Sequence, residues 1–270
     1  MIKFIKKIHK MFRGIYEDRQ LLISFSINDF KKKFAGSYFG TIWAFIQPLI
    51  TIIIYWFVFQ FGFRSGDVGE VPFILWFVSG IVPWLFIADA LPTSSNSFVE
   101  YTYLVKKVVF NVNILPLVKI ISSFFIHLFF LTLVLILCSM MGYYPRIYTF
   151  QIFYYFICTI MFVYSLSLIF SSIIVFFRDL NQIINMLLLI GMWATPIAWN
   201  LSVIPQKFVF FIRLNPVYYI VEGYRDCFVS QRWFWEKSWL SIYFWGVVII
   251  LFLVGVFLYD RLKPHFADSL

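Results

Sequence analysis

The chain has 270 residues, 62% of them hydrophobic and only 13% charged, with a mean hydropathy of +0.86 and a net charge of +9. Soluble domains carry roughly 25% charged residues, so a water-soluble globular protein is excluded. Apolar runs of about twenty residues recur instead, which predicts an all-α polytopic membrane protein. In such a chain the positive charge belongs to Lys- and Arg-rich flanks facing anionic lipid and not to a nucleic-acid surface.

The N-terminus opens with Lys3, Lys6, Lys7, Lys10 and Arg13 at i, i+3, i+4, i+7 spacing, with Phe4, Ile5, Ile8, Met11, Phe12 and Ile15 between them. This is a basic amphipathic helix suited to a membrane surface, without the continuous apolar core of a cleavable signal. In a second amphipathic stretch, 21–34, Ile23, Ile27, Phe30 and Phe34 repeat at helical spacing. It ends in Lys31-Lys32-Lys33, which suits a topology anchor or the electrostatic capture of a phosphorylated lipid head group.

Six transmembrane helices are predicted: 38–61 with Pro48 inside, 71–91 bent near Gly80 and Pro83, 117–141, 150–177 halting at Arg178-Asp179, 183–199 with Pro196 near its end, and 240–259. Between the last two, 208–212 and 217–221 are apolar but too short to cross. Pro205 and Pro216 punctuate them, and Lys207, Arg213, Glu222, Arg225 and Asp226 flank them. They read as two re-entrant helices that dip into one leaflet against protein. With six spans both termini share a side. Fifteen of the 22 Lys and Arg fall on that side, so both termini are predicted to be cytoplasmic and the re-entrant pair extracytoplasmic.

The segment 96–116, NSFVEYTYLVKKVVFNVNILP, lies on the same side as the termini. Glu100, Lys106, Lys107 and its asparagines make it a poor lipid neighbour, yet its Tyr, Leu, Val and Phe content is too apolar for a solvated linker. It suits a protein partner or, alternatively, the headgroup layer.

Little in the sequence suggests catalysis. There is no G-x-x-x-x-G-K-[ST] to cradle phosphate, no H-E-x-x-H and no clustered ligand set for a metal, and Cys138, Cys158 and Cys227 form no metal or disulfide pattern. His127 stands alone in the third span, where a packing role competes with a proton relay, and Asp89 lies near the end of the second. Glu222, Arg225 and Asp226, at i, i+3, i+4, read as an intrahelical ion pair before a catalytic site. Aromatic side chains are abundant, and Tyr154, Tyr155 and Trp193 are candidates for a translocation path along which sugar C–H faces slide over rings.

Five segments together resemble the membrane subunits of ABC-2-type polysaccharide exporters: NDFKKKFAGSYFGTIWAFIQPL, SFVEYTYLVKKVVFNVNILPLVK, FFRDLNQIINMLLLIGMWATPIAW, LNPVYYIVEGYRDCFV and RLKPHFADSL. One departure is Asn111, where members often carry proline after the phenylalanine. The resemblance implies a single transmembrane domain over 1–270: a cytoplasmic interfacial segment 1–36, a six-span bundle 37–260 and a cytoplasmic tail 261–270. It implies a bacterial inner-membrane homodimer bound to two copies of a separate ATP-binding cassette subunit. ATP and Mg would sit on that subunit, with no cofactor and no catalytic residue on this chain.

A cytoplasmic coupling helix would contact the ATPase through Tyr103, Lys106, Lys107, Val109, Phe110 and Asn111, joined by Asp29, Lys32, Arg178 and Asp179. Asn215, Pro216, Glu222 and Arg225 would shape an outer gate. The implied substrate is a polyprenyl-diphosphate-linked glycan of the O-antigen, teichoic acid or capsule type, with Lys31, Lys32 and Lys33 near its head group. An ABC-2 exporter of a drug or small lipid, and a membrane-embedded enzyme of glycan or lipid assembly, are the alternatives.

Overall fold

A computed structural model describes residues 2–33, 35–106 and 111–269. Two helices, α1 (Ile2–Glu17) and α2 (Arg19–Lys33), precede α3 (Trp43–Phe57), which is entered by a 3₁₀ turn and left by a π turn. The rest of the chain forms α4 (Phe73–Ser95), α5 (Ile114–Met140), α6 (Ile152–Ile174), α7 (Leu180–Ala194), α8 (Gln206–Arg213), α9 (Pro216–Arg225) and α10 (Ser238–Leu262), with shorter turns between them. The described residues contain no strand beyond an isolated bridge between Val68 and Val71.

Five helical stretches, built on α3, α4, α5, α6 and α10, are long and apolar enough to cross a membrane. α3 continues through Pro48, and α4 through Pro83 and Pro92. The remaining expected span, 183–199, is the 15-residue α7, about 22 Å long at 1.5 Å per residue. It stops at Ala194 because Thr195 turns extended (φ −99°, ψ 133°) ahead of Pro196, whose ring disfavours helical geometry in the residue before it. The two short helices expected between the last spans are present as α8 and α9.

α4 is the centre of the bundle. It packs against α5, α6 and α9, while α6 pairs with α10 and α2 lies along α5. Of its most apolar window 78% is buried, against 11% for α3 on the periphery. Between helices with apolar surroundings, Leu and Ile gain little by moving inward. Close approach of backbones decides the packing, so interfaces collect small residues. Ser79, Ser94, Ser95, Ser122, Ser165, Ser167, Ser171 and Ser172 are all buried, and Ser94 and Ser167 hydroxyls meet at 2.5 Å across α4 and α6. Met186, Leu187, Leu189 and Ile190 of α7 point outward.

The same physics sets which face of α2 is buried. Its buried side chains are Leu22, Ser26 and Asp29, whereas Ile23 and Ile27 are exposed. Phe30 is half-buried against Phe125, and Phe34 lies outside the described residues. A 3.6-residue apolar stripe marks the core only when the alternative is water.

Both ends of the bundle are closed by side chains. At the end bearing the termini, Phe98, Leu104, Val112, Leu115, Val175, Tyr259 and Phe266 form a cluster that joins the α4–α5 connector to α6, α10 and the tail. From the far end α9 inserts between the long helices, and its Tyr224 hydroxyl meets Nε2 of His127, midway along α5, at 2.9 Å. His127 therefore takes the packing role.

The α6–α10 contact offers a stability test. A Cβ on Gly255 would lie 2.9 Å from Leu168 Cβ and 3.1 Å from the Ser165 carbonyl oxygen, whereas one on Gly246 of the same helix meets nothing within 4 Å. We expect Gly255→Val to cost about 2 kcal/mol by overpacking and Gly246→Val to stay within about 0.5 kcal/mol. Thermal unfolding of the two variants in detergent checks this contrast.

Candidate functional site

The connector between α4 and α5 is where sequence and structure concentrate polar chemistry. α4 ends at Asn96, and single helical turns follow at Ser97–Glu100 and Thr102–Val105, separated by Tyr101 at φ −101°, ψ 35°. The described part of the expected coupling helix is thus two short turns and not one rod. Phe98 and Leu104 turn inward to the terminal cluster, while Tyr103, 58% exposed, and Lys106 face out. Lys107, Val109 and Phe110, expected to carry the contact, lie outside the described residues.

Lys119 anchors this connector. It sits six residues into α5, is buried, and donates to Asp29 Oδ1 of α2 and Glu100 Oε1 of the connector, both at 2.6 Å. The Tyr101 hydroxyl donates to the same Asp29 oxygen at 2.8 Å, and its ring centroid lies 5.1 Å from the ammonium. Burial, reinforced by the Asp29 hydrogen bond, holds the Tyr101 phenol well above its usual range, so it stays a donor at neutral pH. Beside this group Lys33 pairs with Asp89, whose second oxygen accepts from Ser123 at 2.6 Å. Asp89 is therefore engaged on both oxygens and not merely solvated. Lys31 and Lys32 remain exposed at the end of α2.

Asn111 and Asn113 tie down the other end of the connector. Asn111 Nδ2 donates to Asp18 Oδ2 at 2.7 Å, and the absence of a side chain at Gly14 makes room for it. This amide holds the end of α1 against the connector. Asn113 Oδ1 accepts from Tyr259 of α10 at 2.7 Å. Asn181, just after the exposed Arg178-Asp179 turn, donates to Asn96 Oδ1 at 3.3 Å, which brings that turn to the start of the connector.

The far end holds a second buried cation. Arg225 donates to Glu222 at 2.6 Å and to three carbonyls: Trp76 at 3.2 Å, Pro196 at 2.8 Å and Ile197 at 2.9 Å. Its guanidinium lies 3.5 Å over the Trp76 ring, and a Cβ on Gly80 would fall 2.6 Å from Nη2. Asp226 pairs with Lys237 and not with Arg225. Asn215 caps α9 through Val217 N and donates to Thr195 at 2.8 Å, with Pro216 in the first turn of the helix.

The Tyr154 and Tyr155 rings meet edge-on with centroids 5.1 Å apart, whereas Trp193 stands apart from them. Tyr155 is fully buried against Gly223. Tyr154 bonds Tyr219 and Trp245 and stacks on Phe234, and Trp193 faces Phe59 on the exterior. No group of three or more metal-ligating side chains occurs among the described residues.

Sequence reasoning passed over Lys119, Tyr101 and Ser123 as site residues. A lysine that cannot avoid burial inside an apolar helix was the available signal for the first. Lys119→Met should destabilise by about 3 kcal/mol, because it strands Asp29 as a buried charge. Lys119→Met combined with Asp29→Asn should recover most of that loss, and thermal unfolding of the single and double variants distinguishes the two outcomes.

Residues 20–229 match the family model described as ABC-2 type transporter. The chain is also 28% identical over 253 residues to an O-antigen export system permease protein RfbA of Klebsiella pneumoniae, covering 93% of this chain and 95% of the relative. It is 25% identical over 263 residues to the protein of the same name from Myxococcus xanthus, covering 97% and 99%. The matched span contains the connector, the Lys119 network and the Arg225 cluster, and the chain belongs to the ABC-2 type transporter family.

Proposed function

We propose that this chain is the membrane permease subunit of an ABC exporter that moves a polysaccharide of the O-antigen type out of the cytoplasm. The observation that carries this reading is end-to-end similarity to O-antigen export permeases within the ABC-2 family. Having no P-loop in its sequence, the chain takes its energy from an ATP-binding cassette subunit on a separate chain.

The finer features rest on local arguments. A sixth crossing by α7 is supported by its contacts. It starts beside Asn96, and the turn that follows it is held beside Trp76, twenty residues or about 30 Å away along α4. Re-entry of α8 and α9 is supported by the reach of Tyr224 to the midpoint of α5. A cytoplasmic location for both termini, and hence for the connector, is supported by the charge asymmetry.

The ATPase then docks where Tyr103, Lys106 and the Arg178-Asp179 turn are exposed. A load on the connector passes through Glu100 and Lys119 into α5, and through Asp29 into α2, as a rigid displacement. A homodimer with two ATPases places the glycan between protomers. Its lipid diphosphate would be attracted to Lys31 and Lys32, exposed at the end of α2, by charge-assisted hydrogen bonds.

The experiment is co-expression with the neighbouring P-loop protein and measurement of glycan at the cell surface. Tyr103→Asp should lower export at least about tenfold, the loss of roughly 1.4 kcal/mol of coupling contact, with membrane insertion unchanged. Full export by this variant would remove the connector from the docking surface. Export that proceeds without any ATP-binding subunit would refute the exporter reading itself.

A further inference from the structure

Two cavities meet beneath the end of α2. One, of about 350 Å3, is a polar chamber faced by Asp29, Lys32, Lys33, Glu100 and Lys119. The other, of about 280 Å3, is an apolar cleft between α3, α4 and α5 walled by Trp43, Pro48, Val82, Leu85 and Phe130. Lys33 and Ser123 belong to both walls, and Asp89, bonded to each of them, stands where polar gives way to apolar. Along α4 the cleft runs from Asp89 to Val82, about 10 Å of helix. Its outer wall is α3, the least buried of the long helices, and Trp43 and Gln47 of that wall are exposed to the surroundings of the bundle.

We propose that this pair of cavities holds one zwitterionic phospholipid of the surrounding bilayer, its head group in the chamber and one acyl chain in the cleft. The change from polar to apolar follows the long axis of the bundle, as in a lipid lying along it. The cleft falls below the roughly 300 Å3 at which drug-sized sites begin, which suits the part of a single chain nearest its head group.

Charge selects the head group. Lys32, Lys33 and Lys119 face Asp29, Asp89 and Glu100 across the chamber and its boundary, leaving no net charge. A head bearing phosphate and ammonium exchanges ion for ion: the phosphate goes to Lys32 and Lys33, and the ammonium to the half-exposed Glu100 carboxylate. A head with negative charge alone adds an unmatched anion beside three carboxylates. The site lies within one protomer and does not depend on which glycan is exported.

The full-length chain, delipidated in detergent, is titrated with palmitoyl-oleoyl phosphatidylethanolamine or the matching phosphatidylglycerol, and bound lipid is counted by native mass spectrometry. The expected result is one phosphatidylethanolamine retained about tenfold more tightly than phosphatidylglycerol, the value of roughly one charge-assisted hydrogen bond. Thr51→Trp, which fills the cleft from α3, should weaken that binding about tenfold without moving the thermal midpoint in lipid-free detergent. Lys33→Met should abolish the preference between the two lipids. Should Thr51→Trp fail to fold, Gln47→Phe blocks the same cleft from an exposed position and is read identically. Equal retention of both lipids by the parent chain, or undiminished phosphatidylethanolamine binding by the cleft-filling variant, overturns the proposal.

Discussion

The ammonium of Lys119 is the interaction on which the terminal end of this molecule depends. An unpaired charge at that depth would cost several kcal/mol in desolvation. It is tolerated because Asp29 and Glu100 each accept from it at 2.6 Å and the Tyr101 ring lies alongside. Those partners come from α2 and the connector, and Lys119 itself from α5, so three separate segments meet at one charge. Satisfying one charge therefore determines how an interfacial helix and a broken connector sit on a membrane-spanning helix. Such a pair is a poor source of net stability compared with apolar packing, but it does define a single geometry. That is what a part transmitting force requires.

Arg225 solves the same problem at the far end by another route. Its fork meets the Trp76 carbonyl in the first turn of α4 and the Pro196 and Ile197 carbonyls where α7 gives way to a turn, and Glu222 supplies the counter-charge. Five donors in a planar fork suit this task, whereas the ammonium of lysine would leave carbonyls unmet. Gly80 is needed for the fork to approach α4 at all. The two buried cations bracket a middle region with a different logic, in which serines and glycines let α4, α6 and α10 come close and Tyr224 meets His127.

The long helices divide into two kinds. α4 and much of α6 are enclosed, whereas α3 and α7 present isoleucine, leucine, methionine and phenylalanine outward. α4 and its anchored ends form the enclosed frame of the bundle, and α3 and α7 are its outward surfaces. The polar chamber under α2 lies on the border between frame and surroundings, next to the helix that the Lys119 network holds in place.

Composition and run length alone determined the membrane class, the order of the long helices and the absence of a phosphate-binding loop. Each of these depends only on local chemistry: about twenty apolar residues suffice to span, and a motif is present or it is not. The connector was legible as a segment suited to neither lipid nor water. Its anchor was not, because Asp29, Glu100 and Lys119 lie far apart in the chain and each alone reads as an ordinary charge. The buried face of α2 was not legible from its apolar stripe for a physical reason: apolar periodicity marks the core in water, while in an apolar solvent Ser26 and Asp29 turn inward and Ile23 and Ile27 turn out. Pro196 was visible, but only the fold decided that the chain would stop its helix at Ala194 and offer the carbonyls of Pro196 and Ile197 to Arg225. Tertiary structure decided which charges meet, because burying a charge forces a choice of partner that sequence spacing does not contain.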